Sequence, residues 1–535
     1  MDASETLLNT LRRPGVLPGS EGGVELIETH ISWVLLAGEH AWKLKKPLDL
    51  GFLDFSTPAR RREACEAELR LNRRTVPEIY EAVVAVSGSP EAPRLDGGGA
   101  PFDWLLRMRR FDQAGLFSRL LDEGRLAPAL FDRLARHVAE FHAAAAVAQP
   151  GGGYGDAAAV HAPVRQNFAQ MRERLDPGVH ADLLAMLARV EAWAEAQYAA
   201  LAPVFAVRLA EGRVRECHGD LHLGNLVVLD GEPRLFDAIE FSAELRWTDV
   251  VADVAFLVMD LQARGRPALG WRFLNAWLER CGDYAGLRVL PYYLSYRAMV
   301  RAKIAAIRAT QLDGAARDAS VDECRRYLAL AEAQMAPGAP ALLVACGVSG
   351  AGKTSQSQAL VEAGGVIRVR ADVERKRLAG LAAEATSGSG LGGGLYTPEA
   401  TLQTYARLAE LVRGVLEAGR PVLVDATFLE HARRAAFARL AHELGVPFAI
   451  LAFDASEDVL RARVRARLAA GGDASEADEA VLGAQLRRRE GFAAEELARV
   501  LPIDTGSAPD WGSLLPALSR LWPGAPRMDS PSLTH

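Results

Sequence analysis

Carboxylate and amide side chains recur at a fixed spacing in the stretch from His218 to Asp237. Asp220 is followed five positions later by Asn225, and Asp237 follows twelve positions after that. An aspartate in a loop can accept the proton of an attacking hydroxyl, and aspartate and asparagine oxygens are ligands that Mg²⁺ accepts. The spacing therefore predicts phosphoryl transfer from ATP, with Asp220 as the base and Asn225 and Asp237 as magnesium ligands.

The residues between Asn225 and Asp237 must bring these two side chains together. Two apolar runs, 226–229 and 233–236, are separated by the turn signal Asp230-Gly231. This pattern predicts a β-hairpin that begins where the loop ends.

A second predicted hairpin lies near the start of the chain, over residues 31–36 and 41–45. Its second strand places Lys43 and Lys45 on one face, because side chains alternate along a strand. Either ammonium group could bind the phosphates of ATP. We favour Lys43, since the small Ala41 two positions before it would admit an adenine ring, and Lys45 is the alternative. An exposed basic strand edge is the simpler interpretation of both lysines.

The charged helix predicted over residues 58–74 offers Glu63, Glu66 and Glu68 as partners for that lysine. Glu68 lies one helical turn from both Cys65 and Asn72, so it shares a face with them. This position favours Glu68, and the other two glutamates are expected in solvent.

A second candidate site follows the proline-rich break at residues 335–340. The apolar strand 341–346 leads into Gly347-Val348-Ser349-Gly350-Ala351-Gly352-Lys353-Thr354 and then into a helix. In such a P-loop, backbone N–H groups surround the phosphates of a nucleotide. The lysine, Lys353, reaches the outer phosphates, and the hydroxyl of Thr354 ligates magnesium.

The loop that contains Asp220 resembles that of the aminoglycoside phosphotransferase-like kinases. This family phosphorylates small-molecule hydroxyls on a protein-kinase-like fold. Gly219 stands where the protein-kinase loop carries an arginine, and His222 lies inside the loop. The resemblance implies a role for His222 near the substrate.

The strand predicted over residues 366–370 ends at Ala371-Asp372, and Arg375 follows three residues later. This arrangement resembles the polynucleotide-kinase, zeta-toxin and gluconate-kinase-like group of P-loop kinases. The resemblance implies that Asp372 contacts the acceptor hydroxyl and that Arg375 contacts an anionic substrate. The alternative for Asp372 is a helix N-cap. Asp425, at the end of the strand in 421–427, takes the position of a Walker B carboxylate that binds magnesium.

A predicted helix over residues 457–469 carries four arginines, of which Arg463 and Arg467 share a face. With the polar stretch 471–478, it resembles the lid of P-loop kinases, which supplies cations to the transferring phosphate. A solvated basic face is the alternative. The Gly/Ser-rich stretch 386–394 is either a loop over the substrate or a plain linker.

The bulk properties predict a cytoplasmic protein of several domains. The chain has 535 residues, of which half are apolar, and a net charge of -6, so two or three domains are expected. The charge argues against a nucleic-acid-coating role. The five scattered cysteines are typical of reduced thiols. The acidic start predicts no signal peptide, and apolar runs are too short for a membrane span.

The whole arrangement resembles bifunctional proteins that join an aminoglycoside phosphotransferase-like domain to a P-loop kinase domain. It implies a two-domain α/β protein: a bilobal, protein-kinase-like α+β domain over residues 1–334 and a P-loop domain with a parallel sheet over residues 341–523. Each domain would transfer the γ-phosphate of ATP, with Mg²⁺, to a hydroxyl of a small molecule such as a sugar or an aminoglycoside-like metabolite. The alternative is one catalytic P-loop kinase, acting on a nucleic-acid 5′-hydroxyl or a sugar nucleotide, beside a regulatory nucleotide-binding lobe.

Overall fold

The computed structural model describes residues 3–49, 53–389, 393–471 and 473–525. Part of the predicted loop 386–394 and one residue of the stretch 471–478 lie outside the described residues. The chain forms two compact units, one made by residues up to 260 together with 292–331, and the other by 261–291 together with the residues from 332 onward. The segment 261–291 therefore belongs to the second unit, whereas the sequence places it in the domain 1–334.

Fifteen strands lie in the described residues: β1 (Glu25–Glu28), β2 (Ser32–Ala37), β3 (His40–Lys45), β4 (Tyr80–Ser89), β5 (Ala92–Leu95), β6 (Asp103–Arg109), β7 (Val214–Glu216), β8 (Leu226–Leu229), β9 (Glu232–Leu235), β10 (Trp247–Asp249), β11 (Leu342–Cys346), β12 (Ile367–Arg370), β13 (Val422–Asp425), β14 (Phe448–Asp454) and β15 (Val500–Asp504).

The α-helices of the described residues are α1 (Ala3–Leu11), α2 (Pro58–Asn72), α3 (Phe117–Asp122), α4 (Ala129–Ala144), α5 (Ala157–Arg174), α6 (Ala181–Ala210), α7 (Ala243–Arg246), α8 (Val250–Ala263), α9 (Pro267–Cys281), α10 (Leu290–Ala309), α11 (Gly314–Ala333), α12 (Lys353–Gly364), α13 (Ala371–Leu378), α14 (Pro398–Glu417), α15 (His431–Glu443), α16 (Glu457–Ala470), α17 (Glu479–Arg488), α18 (Ala494–Leu497) and α19 (Trp511–Leu521). Short 3-10 helices cover Ser20–Gly22, Gln113–Gly115, Leu223–Asn225, Tyr284–Arg288 and Gly394–Tyr396.

The first unit begins with an antiparallel sheet in the order β1-β2-β3-β6-β4-β5. The predicted hairpin is confirmed, because β2 pairs with β3 from Ser32 opposite Lys45 to Ala37 opposite His40. Alternation along β3 sends Trp42 and Leu44 into a core that also contains leucines of α1. The opposite face of the same strand therefore carries the two lysines.

The rest of the first unit is mainly helical. In α4, the apolar stripe that includes Phe131, Leu134 and Val138 is completely buried, as helical periodicity predicts. The predicted hairpin after the loop is also confirmed and is formed by β8 and β9. The short strands β7 and β10 pair antiparallel, and they precede the loop and α8 respectively.

The second unit contains a parallel sheet in the order β12-β13-β11-β14-β15. The first strand in sequence, β11, lies at the centre and all its residues are buried, as expected for a parallel sheet covered on both faces. A loop connects the carboxyl end of β11 directly to α12, so the predicted strand–loop–helix context of the P-loop is confirmed. The fold is therefore a two-domain α/β arrangement, in which the second unit carries the P-loop.

All five cysteines are free thiols, and four of them are buried. Across the described ranges, no helix combines the length and apolar character needed to cross a lipid bilayer.

Candidate active sites

The β8–β9 hairpin brings Asn225 and Asp237 to one place. Leu226 pairs with Leu235 at the open end of the hairpin, so the residues just outside that pair meet. The N–H of Phe236 donates to the carbonyl of Asn225 at 3.1 Å. The twelve-residue spacing thus consists of two strands and their turn. Asp237 has a positive φ of 60°, a conformation that aspartate tolerates better than most residues.

Asp220 lies beside Asn225 and His222. The amide Nδ2 of Asn225 donates to both the backbone carbonyl and Oδ2 of Asp220 at 3.0 Å. Nε2 of His222 is 3.4 Å from Oδ2 of Asp220. Burial alone would raise the pKa of Asp220, but the histidine and other nearby cations outweigh it and hold the pKa well below its usual value. Asp220 is therefore ionised and 34% exposed, as a base facing a substrate must be.

The same contact acts on His222 in the opposite direction. Its Nδ1 accepts the N–H of Gly224 at 3.0 Å, so the proton of the neutral ring belongs on Nε2, which faces Asp220. Burial lowers the pKa of His222, but the Asp220 carboxylate outweighs burial and raises it. The ring is thus held as a donor toward the candidate base.

Asp253 of α8 fixes the loop that carries Asp220. Its carboxylate accepts the N–H of His218 at 3.0 Å and the N–H of Gly219 at 2.9 Å, while Nε2 of His142 lies 3.2 Å away. Gly219 has a φ of +83°, and a Cβ there would lie 3.2 Å from Ile239. A side chain at this position would therefore be strained, which explains why the position holds a glycine.

Both candidate lysines contact Glu68, the glutamate that the sequence favours. Nζ of Lys43 lies 2.8 Å from one Glu68 oxygen and Nζ of Lys45 lies 2.7 Å from the other. Lys43 also reaches Asp237 at 2.7 Å, whereas Lys45 bonds to Glu240. Lys43 is therefore the lysine that shares a partner with the predicted magnesium ligand, and Lys45 is buried behind it.

The remaining glutamate positions in α2 do not reach the lysines in the same way. Glu66 pairs with Arg62 at 2.8 Å on the exposed side of the helix. Further along α2, Oδ1 of Asn72 accepts the N–H of Ala238 at 2.9 Å, next to Asp237. The helix face that carries Glu68 and Asn72 therefore supports both the lysines and the end of the hairpin.

The donor set of this first site fits a magnesium ion. Because Nδ2 of Asn225 is engaged by Asp220, its carbonyl oxygen is left as a ligand atom. The Asp237 side chain is 42% exposed and therefore accessible to an ion. Two hard oxygen donors next to a lysine match the chemistry of a magnesium-bridged phosphate.

In the second unit, the P-loop forms a cradle that only glycine permits. Gly350 and Gly352 have φ values of +82° and +74°. A Cβ on Gly350 would lie 2.7 Å from the carbonyl of Leu460. Nζ of Lys353 donates to the carbonyls of Gly347 and Val348 at 3.0 Å, so the lysine lies over the loop. Burial lowers the pKa of Lys353, although Asp425 and Asp372 oppose that effect.

The hydroxyl of Thr354, at the start of α12, contacts the carboxylate of Asp425, at the end of β13. Oγ1 of Thr354 donates to Oδ2 of Asp425 at 2.5 Å. Asp425 is the last residue of β13, which lies beside β11 in the sheet. A hydroxyl and a carboxylate at the first turn of the P-loop helix fit a magnesium ion. The sequence thus named two residues that the fold places in contact.

A cavity of about 630 Å³ opens beside the P-loop and includes Lys353, Asp372 and Arg375 in its lining. Asp372 is the second residue of α13 and Arg370 occupies the N-cap position, so the N-cap alternative for Asp372 is wrong. Arg375 is 8% exposed and donates to the carbonyl of Leu395 at 2.9 Å. Among the described residues, no carboxylate forms an ion pair with Arg375.

Arg463 and Arg467, the lid candidates on α16, both line this cavity. Arg463 donates to Oγ1 of Thr505 at 3.1 Å and lies 3.4 Å from the carbonyl of Gly350. Arg467 donates to the carbonyl of Ala477 at 2.7 Å, and its Nε is buried with no hydrogen-bond partner in the described part of the chain. Both guanidinium groups therefore line the cavity beside the P-loop and bond backbone or hydroxyl oxygens there.

The other two arginines of α16 differ from this pair. Arg461 and Arg465 form ion pairs with Glu479 at 3.2 and 3.1 Å. The alternative of a solvated basic face therefore applies to these two residues, and the opposite pair alone faces the cavity.

Comparison with known proteins agrees with this geometry. Residues 52–290 match the family model described as "Phosphotransferase enzyme family", and residues 342–492 match the model described as "AAA domain". The chain joins a phosphotransferase-family segment to a P-loop segment. An uncharacterized protein of Mycobacterium tuberculosis and one of Mycobacterium bovis are each 29% identical to this chain over 462 residues, which cover 86% of this chain and 90% of theirs.

Two solved structures that match part of this chain have the word kinase or gluconokinase in their titles. A choline/ethanolamine kinase family protein from Mesorhizobium loti is 13% identical with a TM-score of 0.35, and the match covers 63% of this chain and all of that chain. A gluconokinase from Sinorhizobium meliloti is 23% identical with a TM-score of 0.24, and covers 35% of this chain and 90% of that one.

In the phosphotransferase-family segment, sequence reasoning missed the residues that support the site from a distance. Glu240 pairs with Lys45, and the hydroxyl of Tyr80 accepts the N–H of Asp237 at 3.1 Å. Arg297 of α10 is 4% exposed and donates to the carbonyl of Gly219 at 3.0 Å. Glu240, three residues after Asp237, was the nearest of these to a recognised motif.

In the P-loop segment, the missed residues line the cavity from elements that carry no motif. Arg370 ends β12, Arg433 lies on α15, and Tyr405 lies on α14. The guanidinium of Arg433 lies 4.2 Å from the centre of the Tyr405 ring. No spacing rule links these positions, because they come together only when the sheet and its helices are packed.

Proposed function

We propose that the chain is a bifunctional kinase in which each segment transfers the γ-phosphate of ATP to a hydroxyl of a small molecule. The observation that carries the proposal is that both sites hold a complete phosphate-handling set. In the first, Lys43, Glu68 and Asp237 form one chain of ion pairs beside Asp220. In the second, Thr354 bonds Asp425 below an intact P-loop.

In the first site, Asp220 accepts the proton of the acceptor hydroxyl, and the His222 ring next to it holds the carboxylate in its ionised form. Asn225 and Asp237 would hold magnesium, which neutralises charge on the phosphates when it is bound. Lys43 contributes a cation that Glu68 keeps in position. The catalytic effect is orientation and charge stabilisation, without a covalent intermediate on the protein.

We place the base of the nucleotide in the first unit near the strands that carry the lysines. Leu36 pairs with Ala41, and Ala41 pairs with Met108, so the three side chains share the face that also carries Lys43. This apolar surface, which lies on the strand of Lys43 and its two neighbours, supports binding of an adenine ring.

In the second site, Lys353 binds the outer phosphates and Asp372 accepts the proton of the acceptor hydroxyl. The arginines Arg463 and Arg467 stabilise charge on the phosphate during transfer. Arg375 is buried in the cavity without a carboxylate partner among the described residues, and a buried cation is stabilised by an anion. We therefore propose that this acceptor carries a carboxylate or phosphate group.

Two features favour this proposal over its alternatives. A regulatory lobe would not need a base, and Asp220 is ionised and accessible. A kinase for nucleic-acid 5′-hydroxyls would need a basic surface with stacking aromatics, and the net charge of -6 provides no general support for one.

We place the activity in the cytoplasm, because free thiols persist there. A small-molecule acceptor is the partner we propose for each site.

The test is ADP release from Mg–ATP by wild type, Asp220→Ala and Lys353→Ala against a panel of amino alcohols, aminoglycosides, sugars, sugar acids and 5′-hydroxyl oligonucleotides. We expect one acceptor set to lose turnover by at least about 100-fold in Asp220→Ala, because general-base catalysis contributes roughly that much. A different set should depend on Lys353. Turnover that is insensitive to Asp220→Ala with every acceptor would overturn the first assignment and support the regulatory lobe.

A further inference from the structure

Helix α9 forms part of the second unit, where it covers the edge of the P-loop sheet. The strand β12 is an edge strand, so one row of its backbone groups needs partners from outside the sheet. Asn275 of α9 supplies them with its side chain. Its Nδ2 donates to the carbonyl of Val366 at 3.2 Å, and its Oδ1 accepts the N–H of Arg368 at 2.8 Å.

The same helix packs against the end of the P-loop helix α12. Gly365 follows α12 with a φ of +59°, and a Cβ there would lie 2.9 Å from the ring of Trp271. Arg272 forms an ion pair with Glu362 at 2.8 Å. These contacts fix α9 on α12 but do not extend into the cavity.

One residue of α9 does reach the cavity wall. Oε1 of Glu279 accepts from Nη1 of Arg370 at 2.8 Å, and Arg370 lines the cavity immediately before Ala371-Asp372. The Arg370 side chain is 15% exposed, and its other ion-pair partner is Asp473 at 3.4 Å, which is 40% exposed. Glu279, at 19% exposure, is the closer and more buried of the two carboxylates.

Glu279 also lies near the P-loop helix. Its Oε2 is 4.0 Å from Nη2 of Arg368. Arg368 in turn donates from Nη1 to the backbone carbonyl of Thr354 at 2.8 Å. One carboxylate therefore holds two arginines, one that faces the cavity and one that bonds the first turn of α12.

We propose that Glu279 is a positioning residue of the P-loop site, which fixes the Arg370 guanidinium in the wall of the cavity that Asp372 also lines. The inference rests on the proposed kinase function of that site. Arg370 supplies a cation to the cavity that the candidate base also lines, and its side chain has several rotatable bonds that must be restrained. A carboxylate that pairs with it through a charge-assisted hydrogen bond provides the restraint. The P-loop site thus depends on Glu279, which precedes the P-loop by about seventy positions in the sequence.

The experiment uses the full chain with Asp220→Asn, so that the first site is silent, and the acceptor that gives Lys353-dependent ADP release. Glu279→Gln removes the charge and keeps the shape. We expect kcat to fall about tenfold, with a change in KM for ATP of less than about threefold, because the phosphate donors of the P-loop stay in place. The double variant Glu279→Gln/Arg370→Gln should be no slower than Arg370→Gln alone, since Glu279 acts through Arg370.

The matched control is Arg272→Gln, which breaks the ion pair of the same helix with Glu362 but does not touch the cavity. Its kcat should stay within about twofold of the parent, even where its thermal unfolding midpoint falls as far as that of Glu279→Gln. Equal kcat in Glu279→Gln and Arg272→Gln, or independent effects of Glu279→Gln and Arg370→Gln, would overturn the positioning role alone. Turnover that persists in Lys353→Ala would instead overturn the proposed function of this site, and the inference with it.

Discussion

At the scale of single residues, the environment of Asp220 determines whether it can act as a base. The carboxylate is partly exposed, yet it accepts from Asn225 and faces Nε2 of His222. The contact with His222 holds the pKa of Asp220 low, and the same contact raises the pKa of His222. A neighbour in the same loop therefore keeps the candidate base ionised across the neutral range.

We predict that His222→Gln moves the acidic limb of the kcat/KM profile of the first site to higher pH. Loss of the imidazole removes the Nε2 group that faces the carboxylate and stabilises its charged form, so the pKa of Asp220 rises, by about one unit. Because the pKa of Asp220 starts well below its usual value, the profile is measured from about pH 2 to about pH 7 with an Asp220-dependent acceptor. The control is His30→Gln, on the exposed turn before β2. An acidic limb that is unchanged in His222→Gln would contradict the assignment.

At the scale of elements, the loop around Asp220 depends on α8. The buried carboxylate of Asp253 accepts two successive backbone N–H groups of that loop, while Arg297 of α10 binds the carbonyl of Gly219. Burial raises the pKa of Asp253, but its histidine and arginine neighbours outweigh burial and lower it. Two helices that follow the loop in sequence therefore bind its backbone N–H groups and the carbonyl of Gly219.

We predict that Asp253→Asn destabilises the first unit by about 2–4 kcal/mol and lowers turnover at its site. The amide keeps the volume but replaces one of the two acceptor oxygens by a donor that faces an N–H group, which leaves buried groups unpaired. Urea denaturation measures the loss of unfolding free energy. Asp230→Asn is the control, because it makes the same change at the exposed turn between β8 and β9, where a positive φ of 51° suits asparagine. Equal stability of the two variants would contradict the bracing role.

At the scale of the whole molecule, the two proposed nucleotide sites lie in two different folds. One uses a hairpin to bring Asn225 to Asp237, and the other uses adjacent parallel strands to bring Thr354 to Asp425. Each set lies within one compact unit. Ligand binding should therefore stabilise each unit through its own residues.

We predict that Mg–ADP protects both units from hydrogen exchange and that single substitutions remove the protection separately. A ligand at about 100 times its Kd adds roughly 2.7 kcal/mol to the stability of the unit that binds it. Thr354→Val should abolish the effect in β11, and Asp237→Asn should abolish it in β9. ADP with EDTA is the control. Because EDTA removes the magnesium, we expect no metal-dependent protection of either strand. If Thr354→Val alone removed the protection of both strands, the prediction of two separate sites would be wrong.

The sequence by itself determined the parts of this protein in which chemistry depends on local spacing. The P-loop from Gly347 to Thr354 needs only a strand, a glycine-rich turn and a helix in succession. The loop from Asp220 to Asn225 and the hairpin to Asp237 are equally local. Strand alternation was sufficient to place Lys43 and Lys45 on one face, and helical periodicity to select Glu68.

The tertiary structure alone decided which of these groups touch and what supports them. It showed that Lys43, and not Lys45, reaches Asp237, and that Arg297 donates to the carbonyl of Gly219. It also placed α9 in the second unit, with Glu279 beside Arg370, a pairing across ninety residues of sequence. Local patterns carry no information on such pairs, because the contacts depend on how separate helices and strands pack, and packing is determined by the burial of the whole chain.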